Sequence, residues 1–264
     1  MMEIFSYPFF LRALAGVCII SVAVAIIGVY IMSRRMVFLS GGITHACFGG
    51  LGLGYWCGVS PVFMAALSAI AGSVGVEWLS SRGRVRSDSA IAVVWATGMA
   101  LGILFVFMTH GYVPELNSFL FGNVLTVTGT DLMWFLSFTV LLALVFALFF
   151  RPIVAVAFDP DFARVRRMPV RLISYAMTVI VAVAIVLTIR LVGIMLLMSL
   201  LSLPQMIAET RCRRFSSLIF ASAAVAVAGG VGGLLVSYYI GVPASATIVL
   251  LLVAMYIPAS LTAK

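Results

Sequence analysis

Apolar stretches of about 20 residues recur along the whole chain, and short arginine clusters separate them in pairs. Only 9% of the residues are charged, and the mean hydropathy is +1.25. A soluble domain has about 25% charged residues. A run of about 20 apolar residues is long enough to cross a bilayer as a helix. The sequence therefore predicts an all-α, polytopic membrane helix bundle.

Nine apolar segments have this length, and no soluble domain interrupts them, so we expect one transmembrane domain over residues 1–264. The segments lie near residues 9–32, 37–57, 60–79, 89–109, 131–150, 172–189, 191–209, 215–240 and 244–262. The first is too long for a signal peptide. Its Arg12 leaves the side of the N-terminus open, so we expect eight or nine transmembrane helices. Phe119 to Thr130 is too short and too polar to cross, and we expect it at the outer surface or as a re-entrant segment.

Nearly all basic residues fall in loops between pairs of apolar segments. Apart from Arg12 and Arg190, they are Arg34 and Arg35; Arg82, Arg84 and Arg86; Arg151, Arg164, Arg166, Arg167 and Arg171; Arg211, Arg213 and Arg214; and Lys264. Under the positive-inside rule these loops and the C-terminus are cytoplasmic. The loop with His110, Pro114 and Glu115 and the turn at Gly241–Val242–Pro243 lack basic residues and are expected outside. The pI of about 9.8 thus reflects topology and does not indicate nucleic-acid binding.

The segment SGGITHACFGGLGLG, residues 40–54, combines a histidine with many glycines. On a helix, four small residues at every fourth position form one smooth ridge on which another helix can lie closely: Gly42, Ala46, Gly50 and Gly54. His45 lies on the neighbouring row. An ionisable side chain within a membrane segment usually faces the bundle interior or a pathway. His45 is therefore a candidate ligand or proton site, and a packing histidine is an equally good interpretation.

A proline near the end of a very apolar segment, Pro204, precedes a charged cytoplasmic stretch. Gln205, Glu209, Arg211, Arg213 and Arg214 follow it. This pattern fits an ordinary loop or a docking element for a cytosolic partner. The chain contains no G-x-x-x-x-G-K-[ST] phosphate loop. If transport here uses ATP, another polypeptide must supply the ATPase.

Six segments in order resemble the membrane permease subunits of bacterial zinc/manganese/iron-type ABC transporters. They are RRMVFLSGGITHACFGG, DSAIAVVWATGMALG, NSFLFGNVLTVTGTDL, DPDFARVRRMPV, LVGIMLLMSLLSLP and YYIGVPASATIVL, between Arg34 and Leu250. The resemblance implies a homodimer in the bacterial inner membrane, with the substrate path at the subunit interface. It also implies a cytosolic ABC ATPase and an extracytoplasmic metal-binding protein as partners, surrounding lipid, and no permanently bound cofactor.

The resemblance assigns roles to particular residues. We expect His45, Thr44, Cys47 and Gly41 to border the substrate path, with His45 as the metal ligand. We expect Ser202 to Ser217 to be the element that couples the permease to the ATPase, through Pro204, Gln205, Glu209, Arg211, Arg213 and Arg214.

The chain departs from the family pattern at three places. The family commonly has an aspartate one turn before the histidine, where this chain has Gly41. It also has an aspartate where this chain has Gly241, and Pro-Ala-Ala-Thr-Ala where this chain has Pro204 to Ala208. A divalent-ion site without its carboxylate is weaker. Besides Zn²⁺, Mn²⁺ or iron, a chelated metal is therefore a possible cargo, and His45, Cys47 or Met206 a possible softer site.

The leading interpretation is an ATP-driven permease that works by alternating access and is not itself an enzyme. Two other functions compete with it. A proton-coupled secondary transporter could use His45 as its relay, but it would ordinarily need buried carboxylates. Glu77 and Glu209 lie only near the ends of predicted helices. A membrane hydrolase would need a catalytic constellation, and the chain has no HExxH motif and no paired intramembrane aspartates.

Overall fold

The computed structural model describes residues 7–81, 85–109, 122 and 124–262, and within these ranges its regular structure is helical, without β-strands. The helices are α1 (Pro8–Ser33), α2 (Leu39–Cys57), α3 (Pro61–Ser81), α4 (Ser87–Met108), α5 (Gly129–Leu148), α6 (Phe150–Phe158), α7 (Pro160–Val165), α8 (Val170–Leu200), α9 (Leu203–Glu209), α10 (Phe215–Ile240) and α11 (Ala244–Leu261), with a 3₁₀ turn at Val124–Thr126. The all-α prediction is confirmed. Arg82, Arg84, His110, Pro114, Glu115 and Lys264, and most of the residues from 117 to 123, lie outside the described ranges.

Seven helical segments of the described chain are long and apolar enough to cross a membrane. They are α1, α3, α4, α5, the stretch Val170–Glu209 that contains α8 and α9, α10 and α11. The glycines of α2 lower its hydropathy, so it is not among them despite its 19 residues. The predicted spans 172–189 and 191–209 fall within the single 40-residue stretch. The multi-pass architecture is confirmed. Length and composition identify seven such segments in the described chain, and the count of eight or nine crossings stays a prediction.

A glycine interrupts the helical backbone inside α8. Gly193 has φ 75° and ψ 172°, a conformation that residues with a Cβ atom rarely adopt. Nearby, Arg190 Nη2 lies 3.5 Å from Asp131 Oδ1 in the first turn of α5. Asp131 also accepts a hydrogen bond from the Thr128 backbone N–H at 3.1 Å, while Thr128 Oγ1 accepts one from Asp131 N–H at 3.2 Å. This capping box fixes the start of α5 and the acceptor for Arg190.

The chain divides into two compact units, which are described separately. The first contains α1, α5, α8 from Thr188 onward, and α9 to α11. In this unit, glycines of α10 let its neighbours approach closely: a Cβ on Gly233 would lie 2.6 Å from the Ile248 Cα of α11, and one on Gly230 would meet the Val17 side chain of α1.

The second unit contains α2 to α4, α6, α7 and α8 up to Leu187. Helices α6 and α7 enclose a small apolar core of Val156, Ala163 and Val170. Asp159 Oδ1 caps α7 by accepting hydrogen bonds from the backbone N–H groups of Asp161 and Phe162, at 3.1 and 2.9 Å. The loop that contains Asp159 is therefore a short capped helix.

Candidate functional site

Helix α2 packs so closely against α3 and α4 that backbone atoms of neighbouring helices nearly touch. A Cβ on Gly98 of α4 would lie 2.6 Å from the Ala46 Cα, and one on Gly50 would lie 2.6 Å from the Ser68 Cβ of α3. Ser68 Oγ also donates a hydrogen bond to the Ala46 carbonyl at 2.7 Å. Small residues allow this approach because a larger side chain would separate the helices. The result is a rigid frame around His45.

The four-residue ridge predicted from the sequence lies within these contacts. A Cβ on Gly42 would lie 2.8 Å from Ile91 Cγ2 of α4, and one on Gly54 would lie 2.7 Å from the Pro61 Cα of α3. The ridge residues thus contact neighbouring helices of the same unit.

His45 is the one partly exposed residue between Leu39 and Leu51. Its Nδ1 lies 2.7 Å from the Gly41 carbonyl oxygen. A carbonyl can only accept, so the neutral ring carries its proton on Nδ1 and directs the Nε2 lone pair away from the helix backbone. This is the arrangement by which an outer hydrogen bond fixes the tautomer of a metal-binding histidine. Among the described residues, no hydrogen-bond partner of Nε2 is found.

The face of the imidazole is covered by an indole ring. His45 and Trp95 of α4 are stacked, with ring centroids 4.3 Å apart and an interplanar angle of 16°. The negative face of an indole favours a neighbouring cation. The stacking also fixes the plane of the imidazole ring. Trp95 carries no signal of this role in the sequence, since the contact joins two helices.

The other predicted pathway residues are less accessible. Thr44 and Cys47 are completely buried, and Gly41 is buried at the first turn of α2. Thr44 Oγ1 donates to the Ser40 carbonyl of its own helix at 2.6 Å. Within the described part of the chain, no three histidine, cysteine, aspartate or glutamate residues come together as a potential metal centre. Of the four predicted pathway residues, His45 is the one whose side chain is accessible to a ligand.

The second unit contains a buried carboxylate whose partners the sequence did not indicate. Glu77 of α3 is 5% exposed, its Oε2 lies 3.5 Å from Arg34 Nη1, and it accepts a hydrogen bond from Thr178 Oγ1 of α8 at 3.3 Å. Arg34 follows α1, so this cluster joins three distant parts of the sequence. The arginine pairing makes Glu77 a structural anchor at this end of the unit rather than a ligand for a cation.

The predicted coupling residues separate into a buried and an exposed group. Pro204 and Gln205 lie in the interior, whereas Glu209, Arg211, Arg213 and Arg214 are exposed. A groove of about 430 Å³ adjoins this exposed segment, between the end of α9 and helices α10 and α11. Only the exposed group, from Glu209 to Arg214, can therefore contact a cytosolic protein directly.

The ABC 3 transport family model matches residues 6–263, which is nearly the whole chain. This chain belongs to the ABC 3 transport family. It is 33% identical over 256 residues to the membrane protein slr2045 of Synechocystis, covering 95% of this chain and 89% of the relative. It is 29% identical to the manganese transport system membrane protein MntC of Halalkalibacterium halodurans, covering 94% and 85%. It is 30% identical to the chelated iron transport system membrane protein YfeD of Yersinia pestis, covering 90% and 80%.

Two solved structures share the fold. The chain matches PsaBC from Streptococcus pneumoniae in complex with Fab with a TM-score of 0.86 at 24% identity, over 99% of this chain and 94% of that one. It matches an inward-facing metal-chelate type ABC transporter with a TM-score of 0.77 at 14% identity, over 96% and 85%. The chain is thus a multi-pass transport component of the inner membrane.

Proposed function

We propose that the chain is the permease subunit of an ABC transporter that carries a metal, as a divalent ion of zinc, manganese or iron or in chelated form, into the cell. The observation that carries the proposal is the accessible His45, whose Nδ1 is 2.7 Å from the Gly41 carbonyl and whose Nε2 can act as a transient ligand. The manganese and chelated-iron transport relatives, matched over most of their length, support the cargo class.

The proposed topology has nine crossings with the N-terminus outside. Helix α5 runs from Asp131 toward the cytoplasmic Arg151, so Asp131 marks the outer side. Arg190 pairs with Asp131 at 3.5 Å, and we infer from this pair that the middle of the Val170–Glu209 stretch also lies on the outer side. Both ends of that stretch adjoin cytoplasmic arginines, so it crosses twice and turns near Gly193. Helix α2, with 19 residues and a length of about 28 Å, adds the ninth crossing.

The proposed partners act on opposite sides of this topology. A separate cytosolic ABC ATPase binds the exposed Glu209, Arg211, Arg213 and Arg214 and supplies ATP hydrolysis. An extracytoplasmic metal-binding protein delivers the cargo, and a second copy of the chain completes the path. The broad apolar face of α4, on which Val93 is 56% exposed, is available to lipid or to that second copy.

The test is uptake by the assembled transporter in proteoliposomes, with Mn²⁺, Zn²⁺, Fe²⁺ and ferric citrate as separate probes. We expect ATP-dependent uptake of at least one probe that a proton ionophore leaves unchanged, and a sharp reduction in His45→Ala. Cys57→Ala, an exposed position at the other end of α2, is the matched control and should transport normally. Uptake that needs a proton gradient instead of ATP would favour the secondary transporter, and normal uptake by His45→Ala would favour the packing interpretation.

A further inference from the structure

The side chain of Gln205 joins three helices of the first unit. It lies in α9, is 0% exposed, and its Nε2 donates hydrogen bonds to the Val24 carbonyl of α1 and to the Leu200 carbonyl at the end of α8, both at 3.2 Å. Both partners are acceptors, so the orientation of the amide is fixed. A bond to Leu200 would suffice to cap α8. The bond to Val24 additionally ties α9 to α1.

Glycine at position 28 makes room for this amide. A Cβ on Gly28 would meet Gln205 Nε2, and it would lie 2.6 Å from Gln205 Cδ and 3.0 Å from the Leu201 carbonyl oxygen. Alanine at this position would therefore displace the glutamine. The amide and the surface of α1 fit each other closely.

The first unit also contains buried oxygens without a hydrogen-bond partner. Within the described chain they are Gln205 Oε1, Ser21 Oγ and Ser222 Oγ, all on residues that are 0% exposed. Buried polar atoms are usually paired, so unpaired ones require an explanation. Ser21 lies one turn before Val24 on α1, and its hydroxyl can donate the bond that Gln205 Oε1 can accept. Since the amide lies against Gly28, a shift of α9 along α1 toward Ser21 would bring the two groups together.

Helix α9 leads directly into the exposed arginines. Arg211, Arg213 and Arg214 follow its last residue, Glu209, by two to five positions. Any force applied to these arginines by a cytosolic partner acts on α9 first. Gln205 hydrogen-bonds α9 to α1.

We propose that Gln205 is a positioning residue that transmits movement of the ATPase-facing segment to α1, with its amide held by the Val24 and Leu200 carbonyls in this conformation and its Oε1 paired with Ser21 in the other. This proposal rests on the function proposed above, in which the exposed arginines bind the ATPase. The arrangement gives α9 two alternative positions on α1 with complementary hydrogen bonds.

The experiment measures Mn²⁺ transported per ATP hydrolysed by the assembled complex in proteoliposomes. Gln205→Met keeps the length of the side chain and removes both hydrogen bonds, and Ser21→Ala keeps every hydrogen bond described here while removing the alternative partner. We expect both variants to hydrolyse ATP within about twofold of wild type and to transport at least about fivefold less Mn²⁺ per ATP. Ser222→Ala, which removes the third unpaired hydroxyl, is the control and should keep the wild-type ratio.

The ratio separates coupling from folding. A merely structural role would lower the yield, ATP hydrolysis and transport together and leave the ratio unchanged. A wild-type ratio in either Gln205→Met or Ser21→Ala would overturn the proposal, and Ser21→Ala decides alone if Gln205→Met does not assemble. The wild-type complex in the same vesicles tests the proposed function independently, since failure there removes Mn²⁺ transport in every sample.

Discussion

The contact of α4 with α2 at Gly98 makes a quantitative prediction for Gly98→Ala. The new Cβ would lie 2.5 Å from the His45 carbonyl oxygen and 2.6 Å from the Ala46 Cα. Ordinary van der Waals contact begins at 3.4 Å, so α2 and α4 would have to separate by about 0.9 Å to clear the carbonyl oxygen. Both obstructing atoms belong to the backbone, and a change of rotamer cannot relieve the clash.

Overpacking should lower the free energy of unfolding of Gly98→Ala, and the higher helix propensity of alanine should offset a small part of this loss. Extra methylene groups in a well-packed interior cost about 1–3 kcal/mol. Alanine gains about 0.5–1 kcal/mol over glycine within a helix. Gly75 of α3 provides the matched control, because a Cβ there meets nothing within 4 Å. Gly75→Ala should show the propensity gain alone. The difference between the two variants therefore isolates the overpacking cost, about 1–3 kcal/mol.

The assay is the free energy of unfolding in mixed detergent micelles, followed by the fluorescence of tryptophan. Gly98→Ala should unfold at a lower denaturant fraction than Gly75→Ala, and a separation of α2 from α4 should also loosen the stacking of His45 on Trp95. Equal unfolding free energies for the two alanine variants would refute the close contact. Any loss of metal uptake by Gly98→Ala beyond its loss of folded protein would connect the contact to the site.

Three further predictions concern other parts of the chain. Gly50→Leu should reduce the yield of folded, monodisperse protein, because even a Cβ would lie 2.6 Å from the Ser68 Cβ, and normal size-exclusion profiles would contradict this. Reversing Arg213 and Arg214 to glutamate should abolish co-purification with the ATPase or uncouple hydrolysis from transport, and a fully active complex would assign docking elsewhere. Gly41→Asp should raise metal retention by the membrane domain, measured by elemental analysis. Unchanged retention in folded protein would show that His45, one turn after position 41, is not a pore ligand.

The helices themselves could be predicted from the sequence with small errors. The segment predicted at 215–240 is Phe215–Ile240, and the one predicted at 244–262 is Ala244–Leu261. Hydropathy and basic loops determine such boundaries because the bilayer requires long apolar helices and charged residues favour the cytoplasmic side. Gly241 ends α10 with φ 73°, which the preference of glycine for helix C-termini also indicates.

The long-range contacts could not be predicted. Glu77 meets Arg34 and Thr178 across 43 and 101 positions, and Gln205 reaches Val24 across 181 positions. A single sequence specifies that such polar residues are costly in the membrane, but it does not specify their partners. The break at Gly193 is different: the predicted boundary between the segments 172–189 and 191–209 lies only three residues before it.

The substitution of Gly41 for an acidic residue changes what His45 can do. The Gly41 carbonyl, 2.7 Å from Nδ1, orients the ring as a carboxylate would, but it brings no negative charge to the cargo. As the proposed ligand, an imidazole with no carboxylate beside it would bind a divalent ion weakly and release it easily, which suits a path more than a storage site. A chelated metal brings its own ligands and needs only orientation and a smooth surface from the protein. The glycines of α2 are buried against α3 and α4 and do not provide that surface, so competition between free and chelated metal for uptake measures which cargo the transporter favours.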